Sequence, residues 1–186
     1  RWPDPIDIEK GRAMRHVFGF VAAAVLAACV QTPGKAAADD QPRVYLSDLT
    51  MLEGAWTGEL IYRDYEPPHE DVSLPATLNV SREGEGILLR LSFSEEPSAY
   101  GGSMLTPSED GRMLNSEEVI ARDEVDGRLM LKTQSACEDD GQPASCEMTY
   151  TLSPDIFQMT KRVQLDSGGP PFRRNTYAFE RRGAGN

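Results

Sequence analysis

The sequence predicts an all-β domain built as a single antiparallel up-and-down barrel of roughly eight to ten strands. First, apolar and polar residues alternate with a period of two in one run after another beyond position 54. Second, turn pairs such as Asp110-Gly111 and Asp126-Gly127 leave connections so short that successive strands have to be antiparallel. Third, no helical stretch of useful length interrupts the series, so the sheet hides its edges by closing on itself. A two-sheet β-sandwich is the alternative.

A short helical turn is the first element expected in the domain, over residues 47–54. Ser47 or Asp48 would cap its start and Gly54 would end it. The strand-like runs that follow are 56–62, 73–80, 87–93, 113–120, 129–133, 148–152, 157–165 and 175–179.

The length and charge of the chain restrict the classes of function. The 186 residues suffice for one domain of ordinary size, which we place at 44–182, with a disordered tail at 183–186. The net charge is −11, and such a field repels phosphate backbones and anionic headgroups. We therefore expect no nucleic-acid partner and no direct binding of the protein surface to a membrane.

An apolar run near the start of the sequence is typical of an export signal. Arg12 and Arg15 precede the apolar stretch 17–28, which is shorter than the roughly 20 residues that a membrane-spanning helix needs. We expect Met14 to be the initiator, so that residues 1–13 lie upstream of the true start and 14–28 form the signal peptide. Residues 29–43, rich in Ala, Pro and Gly, then form a flexible tether.

The end of the apolar run offers two cleavage sites. Leu26-Ala27-Ala28-Cys29 resembles the lipobox of bacterial lipoproteins. That resemblance implies lipidation of Cys29 and attachment to the periplasmic face of the outer membrane through the lipid alone. Ala36-Ala37-Ala38 is the rival, and ordinary cleavage near Ala38 would release a soluble secreted or periplasmic protein.

Two cysteines flank a turn-rich segment between strand-like runs. In an oxidising compartment, a Cys137–Cys146 disulfide would clip a hairpin and stabilise the domain by roughly 2 to 3 kcal/mol. Neither His nor a further Cys lies near them in the sequence to complete a zinc site. We therefore predict a disulfide and no metal.

The motif Gly54-Ala55-Trp56 follows the helical turn and opens the first long strand. This arrangement resembles the lipocalin and calycin superfamily, and in particular uncharacterised bacterial lipocalin-like envelope proteins. The resemblance implies that Trp56 closes one end of the barrel and packs against a basic residue of the last strand. Arg173, Arg174 and Arg181 are the candidates.

Alternation also places polar side chains on the apolar face of two strands. Lys161 shares its parity with Phe157, Met159, Val163 and Leu165, and Asn175 shares its parity with Tyr177 and Phe179. A buried ammonium requires a partner, which would be either the carboxylate of an amphipathic ligand or Glu117. A bulge that turns Lys161 to solvent is the third alternative. The candidate ligand-binding residues are Trp56, Lys161, Asn175 and Tyr177.

Catalysis has little support in the sequence. After the signal segment, His69 is the single histidine, and it lies in an apparent loop without a partner nucleophile or a glycine-rich phosphate loop. We expect no enzymatic activity and no cofactor, heme included, because the last strand supplies no axial ligand. Two functions remain: a carrier with a small hydrophobic ligand inside the barrel, or a structural or interaction lipoprotein with a filled core and an envelope partner.

Overall fold

The computed structural model describes residues 40–94 and 100–183. The expected signal peptide at 14–28, the lipidated Cys29, the rival cleavage site near Ala38 and most of the tail lie outside these ranges. Within them, no helix is long and apolar enough to cross a membrane.

The described chain is almost entirely β-structure. A four-residue helix α1 (Leu46–Leu49) continues as a 3-10 turn (Thr50–Leu52) and leads into ten strands. The strands are β1 (Gly54–Arg63), β2 (Asp71–Glu83), β3 (Gly86–Phe93), β4 (Tyr100–Leu105), β5 (Met113–Leu114), β6 (Glu117–Val125), β7 (Arg128–Asp139), β8 (Gln142–Leu152), β9 (Ile156–Leu165) and β10 (Phe172–Arg181).

All ten strands belong to one antiparallel sheet in the order β4-β3-β2-β1-β10-β9-β8-β7-β6-β5. The first and last strands pair over seven positions, from Trp56 with Arg181 to Tyr62 with Asn175. A single bridge between Pro107 and Leu114 lies where the two ends of the sheet meet. The result is a nearly closed, lipocalin-like barrel, which confirms the predicted fold class and excludes the two-sheet sandwich.

The helical turn begins earlier than predicted. Tyr45 occupies the N-cap position, and its backbone N–H donates to the Asp48 carboxylate at 2.8 Å. Arg122 of β6 donates to both oxygens of the same carboxylate, at 2.7 and 3.2 Å. Asp48 is thus the third residue of the helix and not its N-cap. Through Arg122, its two oxygens tie the helical turn to the barrel wall.

One end of the barrel is solid. A continuous row of inward-facing residues crosses seven strands, and its six side chains are all buried, the seventh residue being Gly58. This floor row consists of Leu129, Leu152, Phe157, Phe179, Gly58, Ala76 and Phe93.

Trp56 closes the barrel at the floor end. It is fully buried, packs edge-on against Phe157, and donates from Nε1 to the Leu52 carbonyl at 2.8 Å. The guanidinium carbon of Arg181 lies 4.2 Å from the centre of the Trp56 rings. Of the three arginines in the last strand, Arg181 is thus the one that packs on the tryptophan.

Candidate ligand site in the barrel

Two further inward-facing rows lie between the floor row and the open end of the barrel. Strand register defines both of them. The middle row consists of Leu131, Tyr150, Met159, Tyr177, Leu60 and Leu74. The upper row consists of Thr133, Met148, Lys161, Asn175, Tyr62 and Val72.

Side-chain burial becomes incomplete above the floor. In the middle row, Met159, Tyr177 and Leu74 are only half-buried. In the upper row, every member except Thr133 is half-buried. These residues share the inward parity of the floor row. Inward-facing side chains are therefore less completely buried above the floor row than within it.

Lys161 lies on the inward face, opposite Met148 and Asn175. Pairing between β8 and β9 runs without interruption past Lys161, so the predicted alternative of a bulge that turns it to solvent is wrong. A bulge occurs instead in β10, between Arg173 and Asn175.

Glu117 provides the negative charge in this part of the interior. Burial raises the pKa of Glu117 above its ordinary value, while a hydrogen bond from the Thr133 hydroxyl and the positive charge of Lys161 act in the opposite direction. The ammonium thus has a carboxylate of the protein nearby, as one of the sequence-based alternatives held. Burial also raises the pKa of the phenols of Tyr150 and Tyr177, which stay neutral.

Among the four candidate residues for ligand binding, the structure brings three together. Lys161 and Asn175 are direct cross-strand neighbours in the upper row, and Tyr177 lies in the middle row on the same strand as Asn175. Trp56 lies beyond the floor row with no accessible surface, so its place is in the plug and not among the residues of the cavity.

A cavity of about 260 Å³ opens at the end of the barrel opposite Trp56. The connection between β1 and β2, the β7–β8 hairpin and the start of β10 contribute to this mouth pocket. Its lining includes Arg63, Tyr65, Asp139, Leu165, Phe172 and Arg174.

Arg174 is a buried cation of the mouth pocket and faces the buried carboxylate of Asp139. The β10 bulge inserts Arg174 as an extra residue, and its side chain lies inside with Nε 3.4 Å from Asp139 Oδ1. The Tyr65 ring covers the guanidinium at 3.2 Å, and the Tyr65 hydroxyl lies 3.5 Å from the same Asp139 oxygen. Sequence reasoning treated Arg174 only as a possible partner of Trp56, because strict alternation carries no sign of the bulge.

The predicted disulfide is present beside this pocket. Cys137 and Cys146 are joined across the β7–β8 hairpin, and Leu165 and Phe172 pack against the same small apolar cluster. The bridge therefore ties together strands that carry the wall of the mouth pocket.

His69 also lines the mouth pocket, but it is an exposed residue of the connection between β1 and β2. Its Nδ1 lies 3.2 Å from the Asp64 carbonyl oxygen, and its backbone adopts a positive φ of 63°. No group of three or more His, Cys, Asp or Glu side chains with the spacing of a metal site occurs within residues 40–94 and 100–183.

Comparison with known proteins supports the fold. No family model and no curated protein sequence matches the chain. Among solved structures, Rv2717c from M. tuberculosis aligns with a TM-score of 0.51 at 12% identity, covering 74% of this chain and 96% of that one. At that identity the similarity extends to the barrel fold alone.

Two other structural matches have lower scores. A mutant of the fluorescent protein UnaG aligns with a TM-score of 0.37 at 9% identity, covering 74% of this chain and 99% of that one. A protein of unknown function from the DUF3598 family of Nostoc punctiforme aligns with a TM-score of 0.36 at 18% identity, covering 77% of this chain and 53% of that one.

Proposed function

We propose that this protein is an exported, lipid-anchored carrier that holds a small apolar or amphipathic molecule inside its barrel. The observation that supports the carrier role is the contrast between the rows. The six side chains of the floor row are all buried, whereas most side chains of the middle and upper rows are only half-buried. A concave, mostly apolar interior with a few polar groups is the usual form of a small-molecule site.

The side chains of the middle and upper rows suit such a ligand. Met148 and Met159 are unbranched and adapt to irregular shapes, and Tyr62 and Tyr177 add aromatic surface. Lys161 and Asn175 offer hydrogen-bond donors beside this apolar wall. In this proposal the barrel binds and releases its ligand, catalyses no reaction and needs no cofactor.

Titration with the dye N-phenyl-1-naphthylamine, which fluoresces in apolar surroundings, tests the carrier role. The wild-type domain should enhance the fluorescence in a saturable manner. Met159→Trp fills the interior and should weaken dye binding about 10-fold or more. Thr57→Trp adds the same side chain to the exposed outer face of β1 and should leave binding unchanged.

Thermal unfolding of each variant checks that the barrel is folded, since overpacking costs about 1–3 kcal/mol. Absence of dye binding to the wild-type domain would favour the structural lipoprotein with a filled core. A folded Met159→Trp protein that binds the dye as wild type does would place the dye outside the interior.

Export and anchoring have a separate test, intact-mass measurement of the mature protein from its native envelope. We expect a chain that begins at Cys29 with added acyl mass, together with a disulfide between Cys137 and Cys146. A mature chain that begins near Asp39 without acyl mass would replace the anchored carrier by a soluble one.

A further inference from the structure

Within the part of the chain that the structure describes, one hydrogen-bond donor of Arg174 has no acceptor. The residue is 5% exposed, and its Nη2 atom is buried without a partner among the residues that the structure describes. Arginine keeps its proton at any ordinary pH, so deprotonation offers no relief. A buried donor in this condition is costly, and most such groups in native proteins have a partner. The unpaired donor therefore points to a missing acceptor.

The charges around the mouth pocket restrict what that acceptor can be. Two cationic side chains, Arg63 and Arg174, face three carboxylates, Asp64, Asp139 and Asp140. Asp139 already lies 3.4 Å from Arg174 Nε. An incoming carboxylate would share one guanidinium with Asp139, and two such carboxylates repel each other. An uncharged oxygen acceptor gains the hydrogen bond without that repulsion.

Apolar surface lies beside the donor. Leu165 and Phe172 form part of the same lining, and the guanidinium of Arg63 lies 5.3 Å from the centre of the Phe172 ring. The cavity has a volume of about 260 Å³, which is room for several water-sized groups. A carbonyl group with its neighbouring methylenes fits this combination of one donor and apolar walls.

We infer that the mouth pocket binds the uncharged carbonyl of an apolar molecule, a ketone, ester or amide, through a hydrogen bond from Arg174 Nη2. The exposed Tyr65 ring, which belongs to the β1–β2 connection and covers the guanidinium, moves aside to admit the carbonyl. This inference rests on the proposed function, because it names the polar group of the molecule that the barrel would carry.

Displacement of N-phenyl-1-naphthylamine by two matched probes tests the carbonyl site in the mouth pocket. Decan-2-one carries a neutral carbonyl, and decanoate at pH 8 carries a carboxylate on a chain of the same length. We expect decan-2-one to displace the dye from the wild-type domain at a concentration at least about 10-fold lower than decanoate does, because the carboxylate of decanoate and that of Asp139 repel each other beside one guanidinium.

The variants separate the mouth pocket from general apolar binding. Arg174→Met combined with Asp139→Asn removes the donor and its counter-charge together, and should weaken displacement by decan-2-one about 10-fold while the dye still binds. Arg173→Met is the matched control, because Arg173 is the neighbour of Arg174 in β10 but pairs with Asp71 on the outer face of the barrel. It should behave as wild type.

Each outcome is decisive. A wild-type domain that does not bind the dye overturns the proposed function. If the dye binds but decan-2-one and decanoate displace it equally well, the carbonyl site alone is overturned. The same holds if decan-2-one displaces the dye from the double variant as readily as from wild type. If the double variant does not fold, the side-chain ¹⁵N resonances of Arg174 in the wild-type protein decide, because decan-2-one should shift them and decanoate should not.

Discussion

At the scale of single residues, Arg181 joins three parts of the closed end. Its guanidinium donates to the carbonyls of Glu53 at 2.8 Å and Met51 at 2.5 Å, and also to the carbonyl of Pro154. The same group covers the ring of Trp56. One guanidinium thus donates hydrogen bonds to three backbone carbonyls, two at the end of the helical turn and one in the turn before β9. A lysine ammonium cannot replace this planar set of donors.

We expect Arg181→Met to lower the free energy of unfolding by about 2 kcal/mol, because the lost hydrogen bonds have a charged donor but lie partly exposed. Urea unfolding provides the measurement. Arg182→Met removes a neighbouring exposed cation and should change stability by no more than about 0.5 kcal/mol. Equal effects of the two substitutions would contradict the assigned role.

Glu117 gives a prediction on pH dependence. Burial raises its pKa above the ordinary value of 4.5, so the folded protein holds this proton more tightly than the unfolded chain does. The contribution of Glu117 to stability is therefore most favourable below pH 4.5 and declines as the pH rises through the folded pKa.

Urea unfolding at several pH values between about 4.5 and 7 measures this decline. Glu117→Gln should flatten it, whereas Glu118→Gln, at the exposed neighbouring position, should preserve the wild-type slope. If the free energy of unfolding of wild type and of Glu117→Gln changed with pH in the same way, burial of the Glu117 carboxylate would not contribute to the pH dependence.

At the scale of elements, the pairing of β1 with β10 joins the two halves of the sheet, β1–β4 and β5–β10. Gly58 of β1 pairs with Phe179 of β10 in the floor row. A Cβ atom at this position would overlap the Ala178 carbonyl oxygen and lie 2.8 Å from the Phe179 Cα. Glycine therefore permits the backbones to approach at the seam that joins the two ends of the chain.

Gly58→Ala should destabilise the barrel by about 3 kcal/mol, because only backbone movement relieves the overlap. Gly101→Ala in β4 is the matched control, since its Cβ would meet no atom within 4 Å, and it should be neutral or stabilising by about 0.5 kcal/mol. Differential scanning calorimetry of both variants tests the pair. A Gly58→Ala protein as stable as wild type would mean that the β1 and β10 backbones can move apart at this position, contrary to the requirement for glycine.

Local irregularities mark the limit of what alternation predicts for the elements. The predicted run 113–120 divides into β5 and β6 because Asn115, with φ of 57°, turns the chain between them. Strand β4, with its two glycines, carries too weak a pattern to be recognised. The β10 bulge shifts Arg174 inward, and this one-residue change places the buried cation of the mouth pocket beside Asp139.

At the scale of the whole molecule, the sequence was sufficient for the barrel class and the Trp56 plug, but it left open whether Lys161 points inward or is turned to solvent by a bulge. These features depend on period-two alternation and on a three-residue motif, both of which are local. The mouth pocket depends on contacts between distant segments, such as Tyr65 with Asp139 and Arg174 with Tyr65. No local pattern encodes such contacts, so they became visible only in three dimensions.

The central claim is that the barrel holds its ligand above a solid floor. A crystal structure of the domain soaked with 1-bromodecane tests it most directly, because the anomalous signal of bromine locates the bound chain. The account predicts a bromine peak inside the barrel, between the floor row and the mouth pocket, near Met159 and Tyr177. Bromine peaks confined to the outer surface, or none at all in soaked crystals, would contradict it.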